Sequence, residues 1–349
     1  MTPRVCGAFE LIRKVGEGAT SEVFLAHGPS EFGGGLAAVK VLRGSAAQEE
    51  TFIDMFLDEA RLAKRLDHPG ICRVYDVGRS RGTFYLAMEW FDGVTLTALA
   101  TGGPLPVPVV TAIGYRVAEA LHYAHTVVDD GLSPLGVIHR DVSPDNVLVG
   151  LDGGVKLVDF GIAKADTQLH HTSPGVVKAK LGYLAPEQLE GKEAPSTDLF
   201  GLSATLLEML SGEPLFVRGA PADTIHAIRR YQKPPLFEVP GLPAPVRALL
   251  EQCLARDPAL RLESAADYAA ALQPHVGEDA RSAVAEVVAE RFPIRRAEVP
   301  PSVPRRRSDP QTLARLSVDR GAAPPETPKY WWGVVGLVIV LAVALWFLR

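Results

Sequence analysis

The stretch HRDVSPDNVLV, His139 to Val149, followed ten residues later by Asp159, Phe160 and Gly161, restricts this 349-residue chain more than any other feature. Asp141 offers a carboxylate, Asn146 a carboxamide and Asp159 a second carboxylate, each on a short segment beside an apolar run. One proton acceptor and two metal-facing oxygens are what phosphoryl transfer requires, because that chemistry proceeds mainly by positioning and charge neutralisation.

Two upstream features fit the same chemistry. Gly16, Gly18 and Ser21 in VGEGATSEVFLA form a G-x-G-x-x-S turn between apolar runs, able to bring backbone amides close to phosphate oxygens. Lys40 ends the strand-like run AAVK, which would bury its stem and direct one ammonium at a phosphate. Taken singly, the first is also what a plain turn looks like and the second a solvated lysine. Their order and spacing with the two downstream motifs join them into one site.

Around these motifs the pattern changes along the chain. From about Phe9 to Met88, short β-branched runs alternate with Gly-rich turns, with one helical stretch from Glu49 to Leu66. From Val107 to Leu272, apolar residues recur at helical spacing over Val109–His125, Asp198–Leu210, Pro245–Cys253 and Ser264–Leu272. A small sheet lobe followed by a larger helical lobe is the expectation. Lys and Arg total 36 against 41 Asp and Glu, a net charge of −5, so no basic excess points to nucleic acid and no such partner is expected. Cys6, Cys72 and Cys253 lack metal-ligand spacing and read as reduced thiols. The segment from Met1 to Phe9 has no secretory pattern, which predicts a cytoplasmic location for most of the chain.

Taken together, residues 9–273 resemble the eukaryotic-like Ser/Thr protein kinases of bacteria. The resemblance implies an α+β, bilobal protein kinase fold that uses ATP and Mg²⁺. It implies that Gly16, Gly18 and Ser21 cover the phosphates, that Val15 also belongs to the nucleotide site, that Val23, Ala38 and Leu148 enclose the adenine, and that Met88 backs the pocket. Glu89 to Phe91 would be the hinge, its backbone meeting the adenine edge. Lys40 would pair with Glu59 and hold phosphates, Asp141 would accept or orient the hydroxyl proton, and Asn146 and Asp159 would bind Mg²⁺. Ala185, Pro186 and Glu187 would end the activation segment, with Glu187 pairing with Arg261, and Asp198 would support the catalytic loop. Substrates would be proteins bearing Ser or Thr hydroxyls. Arg140 implies pairing with a phosphorylated residue, which predicts autophosphorylation at Thr172 or Ser173.

Three positions depart from the family pattern. Ser21 replaces the third loop glycine. Ser143 stands where a lysine commonly contacts the transferred phosphate, and Lys180 stands where a threonine usually bonds the catalytic Asp. The last two changes suggest that Lys180 supplies beside Asp141 the charge missing at Ser143. Without that lysine, tyrosine specificity also stays open, and a nucleotide-binding scaffold without activity is the competing class. A small-molecule phosphotransferase fits less well, because the APEQ at Ala185 to Gln188 belongs to an activation segment.

After residue 273 the composition turns to Pro, Arg, Ser and Ala, so 274–330 is expected to be a disordered linker. The run WWGVVGLVIVLAVALWFL, Trp331 to Leu348, then carries no charge. As a helix it would span roughly 27 Å, close to the hydrocarbon thickness of a bilayer. Trp331, Trp332 and Trp346 lie near its ends, and Arg305, Arg306, Arg307, Arg315, Arg320 and Lys329 precede it. The expectation is a single transmembrane helix in the inner membrane with the catalytic domain on the cytoplasmic side, where crowding would favour a homodimer for trans-autophosphorylation.

Overall fold

The computed structural model describes residues 4–18, 21–32, 34–43, 50–129, 131–160, 181–231 and 239–293. The N-terminal part is a six-stranded antiparallel sheet in the order β1-β2-β3-β4-β6-β5. Its strands are β1 (Arg4–Cys6), β2 (Phe9–Glu17), β3 (Ser21–His27), β4 (Leu36–Leu42), β5 (Val74–Ser80) and β6 (Thr83–Glu89). Alternation along these strands divides the apolar residues between two faces. Phe24, Ala26, Val39, Val41, Tyr85 and Ala87 close one face with Phe9. Leu42, Val74 and Leu86 on the other take up Phe56, Ala60 and Ala63 of helix α1 (Glu50–Ala63).

The second lobe begins with a three-stranded sheet, β7 (Gly93–Thr95), β8 (Val147–Gly150) and β9 (Val155–Leu157), beside α2 (Leu96–Ala100). Two helices form its centre, α3 (Val107–Thr126) and α4 (Pro195–Ser211). In α4 every residue from Thr197 to Leu207 is buried, so it is a core helix, not a surface one. Proline at its first position and Gly212 in the left-handed region (φ 77°) past its end set its limits. Around them pack α5 (Pro221–Arg230), α6 (Ala244–Cys253) and α7 (Ala265–Leu272). The three cysteines are free and buried, and burial pushes the Cys72 thiol up to about 12 and that of Cys253 to about 11.

One expectation is corrected. The segment predicted to be a disordered linker from residue 274 opens with folded chain: helix α8 (Ala280–Arg291) packs against α3 and β8. Val284 and Val288 are 1% and 0% exposed. Arg291 donates to the carbonyls of Leu99, Gly103 and Pro104, and Arg281 pairs with Asp152 in the β8–β9 turn. Gly153 in that turn has φ 76°, and a Cβ there would fall 1.9 Å from the Arg281 carbonyl oxygen. The helix escaped the sequence reading because its two buried valines, four apart, are diluted by the Pro- and Arg-rich chain that follows. A Val288→Asp substitution places a carboxylate in this core and should destabilise the fold by about 3 kcal/mol or more. A melting temperature within 2 °C of the parent, by thermal unfolding, would contradict that docking.

Among the described residues no helix is long and apolar enough to cross a membrane. The run Trp331 to Leu348 lies outside them.

Candidate active site

Strand register puts most of the predicted nucleotide-binding residues on one face. Val23 pairs with Lys40 and Leu25 with Ala38 across β3 and β4, while Ala38 pairs with Met88 and Lys40 with Leu86 across β4 and β6. Paired residues share a face, so Val23, Ala38, Lys40 and Met88 lie together. Gly16 pairs with Val23, and the Gly18 N–H donates to the Ser21 carbonyl at 2.8 Å, closing the Gly-rich turn. Val15 is 36% exposed. Leu148 comes from the other lobe, half-buried on β8 between the buried Val147 and Val149, so it lies on the opposite face of that strand from those core residues.

The catalytic loop hangs from α4. Asp198 is 1% exposed, and its Oδ1 accepts from the Arg140 N–H at 2.7 Å and its Oδ2 from the His139 N–H at 2.8 Å. The His125 ring reaches the same Oδ2 at 2.7 Å. These bonds hold Arg140 at φ 65°, an unfavourable conformation for a side chain of that size. The α4 backbone approaches closely because residue 201 is glycine: a Cβ there would meet the Val142 carbonyl oxygen at 2.9 Å. From the far side the Gln188 side chain donates to the Arg140 carbonyl and accepts from Ala185 N–H, each at 2.9 Å.

Within this frame the Asn146 amide donates to the Asp141 carbonyl at 2.7 Å, which turns its own oxygen away from that bond. The Asn146 carbonyl accepts from Val158 N–H at 2.9 Å, joining the loop to the segment that carries Asp159. Asp159 adopts φ 57°, and its neighbour Phe160 packs on the His139 ring with centroids 4.6 Å apart. Lys40 Nζ donates to Asp159 Oδ1 at 2.8 Å, so residues 119 apart in sequence meet in a part-buried ion pair. Glu59 falls on α1, with its side chain outside the described residues, and Lys180, Thr172 and Ser173 also lie outside them.

The donor set suits a magnesium nucleotide. Hard oxygens on Asn146 and Asp159 match Mg²⁺, and a lysine ammonium matches phosphate. Ser143 adds a polar atom of its own: the residue is fully buried and its Oγ has no hydrogen-bond partner among the described residues.

Below the loop, Glu187 and Arg261 form the expected pair as a bidentate contact of 2.6 and 2.8 Å. The two residues are 7% and 4% exposed, and the guanidinium lies 4.8 Å from the Phe200 ring. Tyr183 donates to Glu208 at 2.6 Å, and burial, followed by the nearby Glu208 charge, raises the tyrosine well above its ordinary range. Burial likewise raises Glu208, more than its bond to Tyr183 lowers it. Sequence reading missed His125, Gln188, Tyr183 and Glu208 as structural partners. Gln188, inside APEQ, and Tyr183, three residues after Lys180 in the stretch just before it, were the two with a positional signal.

The pattern that defines the protein kinase domain matches residues 9–273. A tyrosine-protein kinase, MasK of Myxococcus xanthus, is 37% identical over 281 residues, 78% of this chain and 43% of that protein. The serine/threonine-protein kinase PknA of Mycobacterium tuberculosis is 35% identical over 312 residues, 86% of this chain and 67% of its own. PknB of the same organism is 34% identical over 280 residues, 77% of this chain and 43% of its own. This chain therefore spans between 43% and 67% of the length of these relatives. Among solved structures, the M. tuberculosis PknI kinase domain aligns with a TM-score of 0.61 at 30% identity, covering 79% of this chain and 99% of that one.

Proposed function

From the premise that this chain belongs to the protein kinase domain family, among the eukaryotic-like serine/threonine kinases of bacteria, we propose that it transfers the γ-phosphoryl group of ATP to Ser or Thr hydroxyls of proteins. The observation that carries this reading is the convergence of Asp141, Asn146 and the Lys40–Asp159 pair at the junction of the two lobes. ATP supplies the group that moves, and Mg²⁺ neutralises charge on its phosphates. Lys40 holds phosphate oxygens, and Asn146 and Asp159 provide the metal's protein oxygens. Asp141 orients the incoming hydroxyl and takes up its proton. The hydrogen bonds to Asp198, Gln188 and Asn146 fix the main chain of residues 139–141 that carries this carboxylate, so little reorganisation of the loop accompanies reaction.

Finer parts of the proposal rest on the sequence. Lys180 supplies a cation beside Asp141 in place of the residue absent at Ser143. Thr172 or Ser173 is autophosphorylated and pairs with Arg140. Residues 331–348 span the inner membrane and leave the catalytic domain cytoplasmic, which raises local concentration and favours trans-phosphorylation between two copies.

Incubating the purified chain with ATP and Mg²⁺, then identifying the phosphorylated amino acids, tests the reading. Phosphoserine or phosphothreonine is expected, with turnover lowered at least tenfold by Lys180→Ala. Phosphotyrosine would favour a second reading, tyrosine specificity, which Ser143 and the similarity to MasK support. Nucleotide binding without transfer would leave a scaffold. Full turnover in Lys180→Ala would remove that residue from the mechanism.

A further inference from the structure

A buried cation outside the predicted catalytic set lies directly beneath the hinge. Lys156, on β9, is 5% exposed. Its Nζ donates to Glu89 Oε2 at 2.8 Å and to the Ile71 carbonyl at 3.3 Å, and it stands 5.8 Å from the centre of the Phe91 ring. A buried ammonium is costly unless partners surround it, and here they come from two segments: the α1–β5 connection, and the stretch that runs from the end of β6 into the chain just after it. Phe91 is seated on the same hairpin. A Cβ at Gly150 would be 2.8 Å from its ring tip and one at Gly154 3.5 Å, so two glycines make its bed.

We propose that Lys156 is a positioning residue for nucleotide, clamping the hinge to the second lobe through Glu89 and Phe91; this rests on the kinase reading above. Residues 89 and 91 alternate along the chain, so fastening both side chains to β8 and β9 holds the intervening main chain toward the cleft. Lys156 pairs in register with Leu148, so both rise from the face expected to lie under the adenine. It also precedes Asp159 by three residues. One ammonium thereby ties the backbone that meets the base to the strand that carries the metal ligand. A purely stabilising ion pair would affect melting and not nucleotide affinity.

The test uses the full chain in detergent, with ATP affinity read by direct titration and KM and kcat for ATP by steady-state transfer. Lys156→Met should raise both Kd and KM for ATP about tenfold, with kcat at saturating ATP within about twofold of the parent. Glu89→Gln should move the same constants in the same direction. The double variant should be no worse than Lys156→Met alone, because the two groups act as a pair. Wild-type ATP affinity in folded variants, or a fall in kcat at unchanged KM, overturns the proposal. Should Lys156→Met fail to fold, the isosteric Glu89→Gln decides, its side chain being 24% exposed in the parent. Absence of transfer by the unaltered chain counts against the kinase reading; the affinity titration judges the clamp independently.

Discussion

An Asp141→Ala variant should lose phosphate transfer by about 10³-fold while binding ATP within about threefold of the parent. The split follows from the geometry. Lys40 and Asp159 engage each other at 2.8 Å, and the adenine-facing residues come from β3, β4, β6 and β8, none of which depends on the Asp141 side chain for its register. Asp141 itself is 8% exposed, and Asn146 is held through the Asp141 carbonyl, which alanine retains. Single-turnover transfer and nucleotide titration on the same preparation check this. Residual transfer above a tenth of the parent rate would mean that another group handles the hydroxyl proton.

The second large effect is on stability. Arg261→Met leaves Glu187 buried without its guanidinium, and removing one partner of such a pair costs about 3–5 kcal/mol. For a folded unit of this size that lowers the melting temperature by roughly 6–20 °C. The loss extends past the pair, because Arg261 also donates to the carbonyls of Ala255 and Ser196. It also reaches function: Gln188, next to Glu187, holds the Arg140 carbonyl, so the catalytic loop should loosen before the fold melts. Differential scanning calorimetry measures the first effect and hydrogen exchange at residues 139–142 the second. A melting point within 2 °C of the parent would show the pair to be replaceable.

Local chemistry was legible where it depends on short spacing. Asp141, Asn146 and Asp159 sit in two compact motifs, and helices α3, α4, α6 and α7 announce themselves by period. The Glu187–Arg261 pair was accessible only through resemblance, since its members are 74 residues apart. Partners such as His125 for Asp198, 73 apart, and Lys156 for Glu89, 67 apart, carry no local signature at all. A lysine within the apolar run VKLV reads as a solvated side chain until the fold brings a carboxylate to it. Helix α8 was lost for the opposite reason: its signal is local but short, and composition averaged over its surroundings hid it.

That helix has a practical consequence for dissecting the protein. A recombinant piece cut at residue 273, where the family pattern ends, would expose the seats of Val284 and Val288 and deprive three carbonyls of the Arg291 guanidinium. It would also remove the grip of Arg281 on Asp152, in the same hairpin that supports Phe91 and carries Lys156. Weak nucleotide binding by such a fragment would be an artefact of the cut; the intact folded unit includes helix α8 through Arg291.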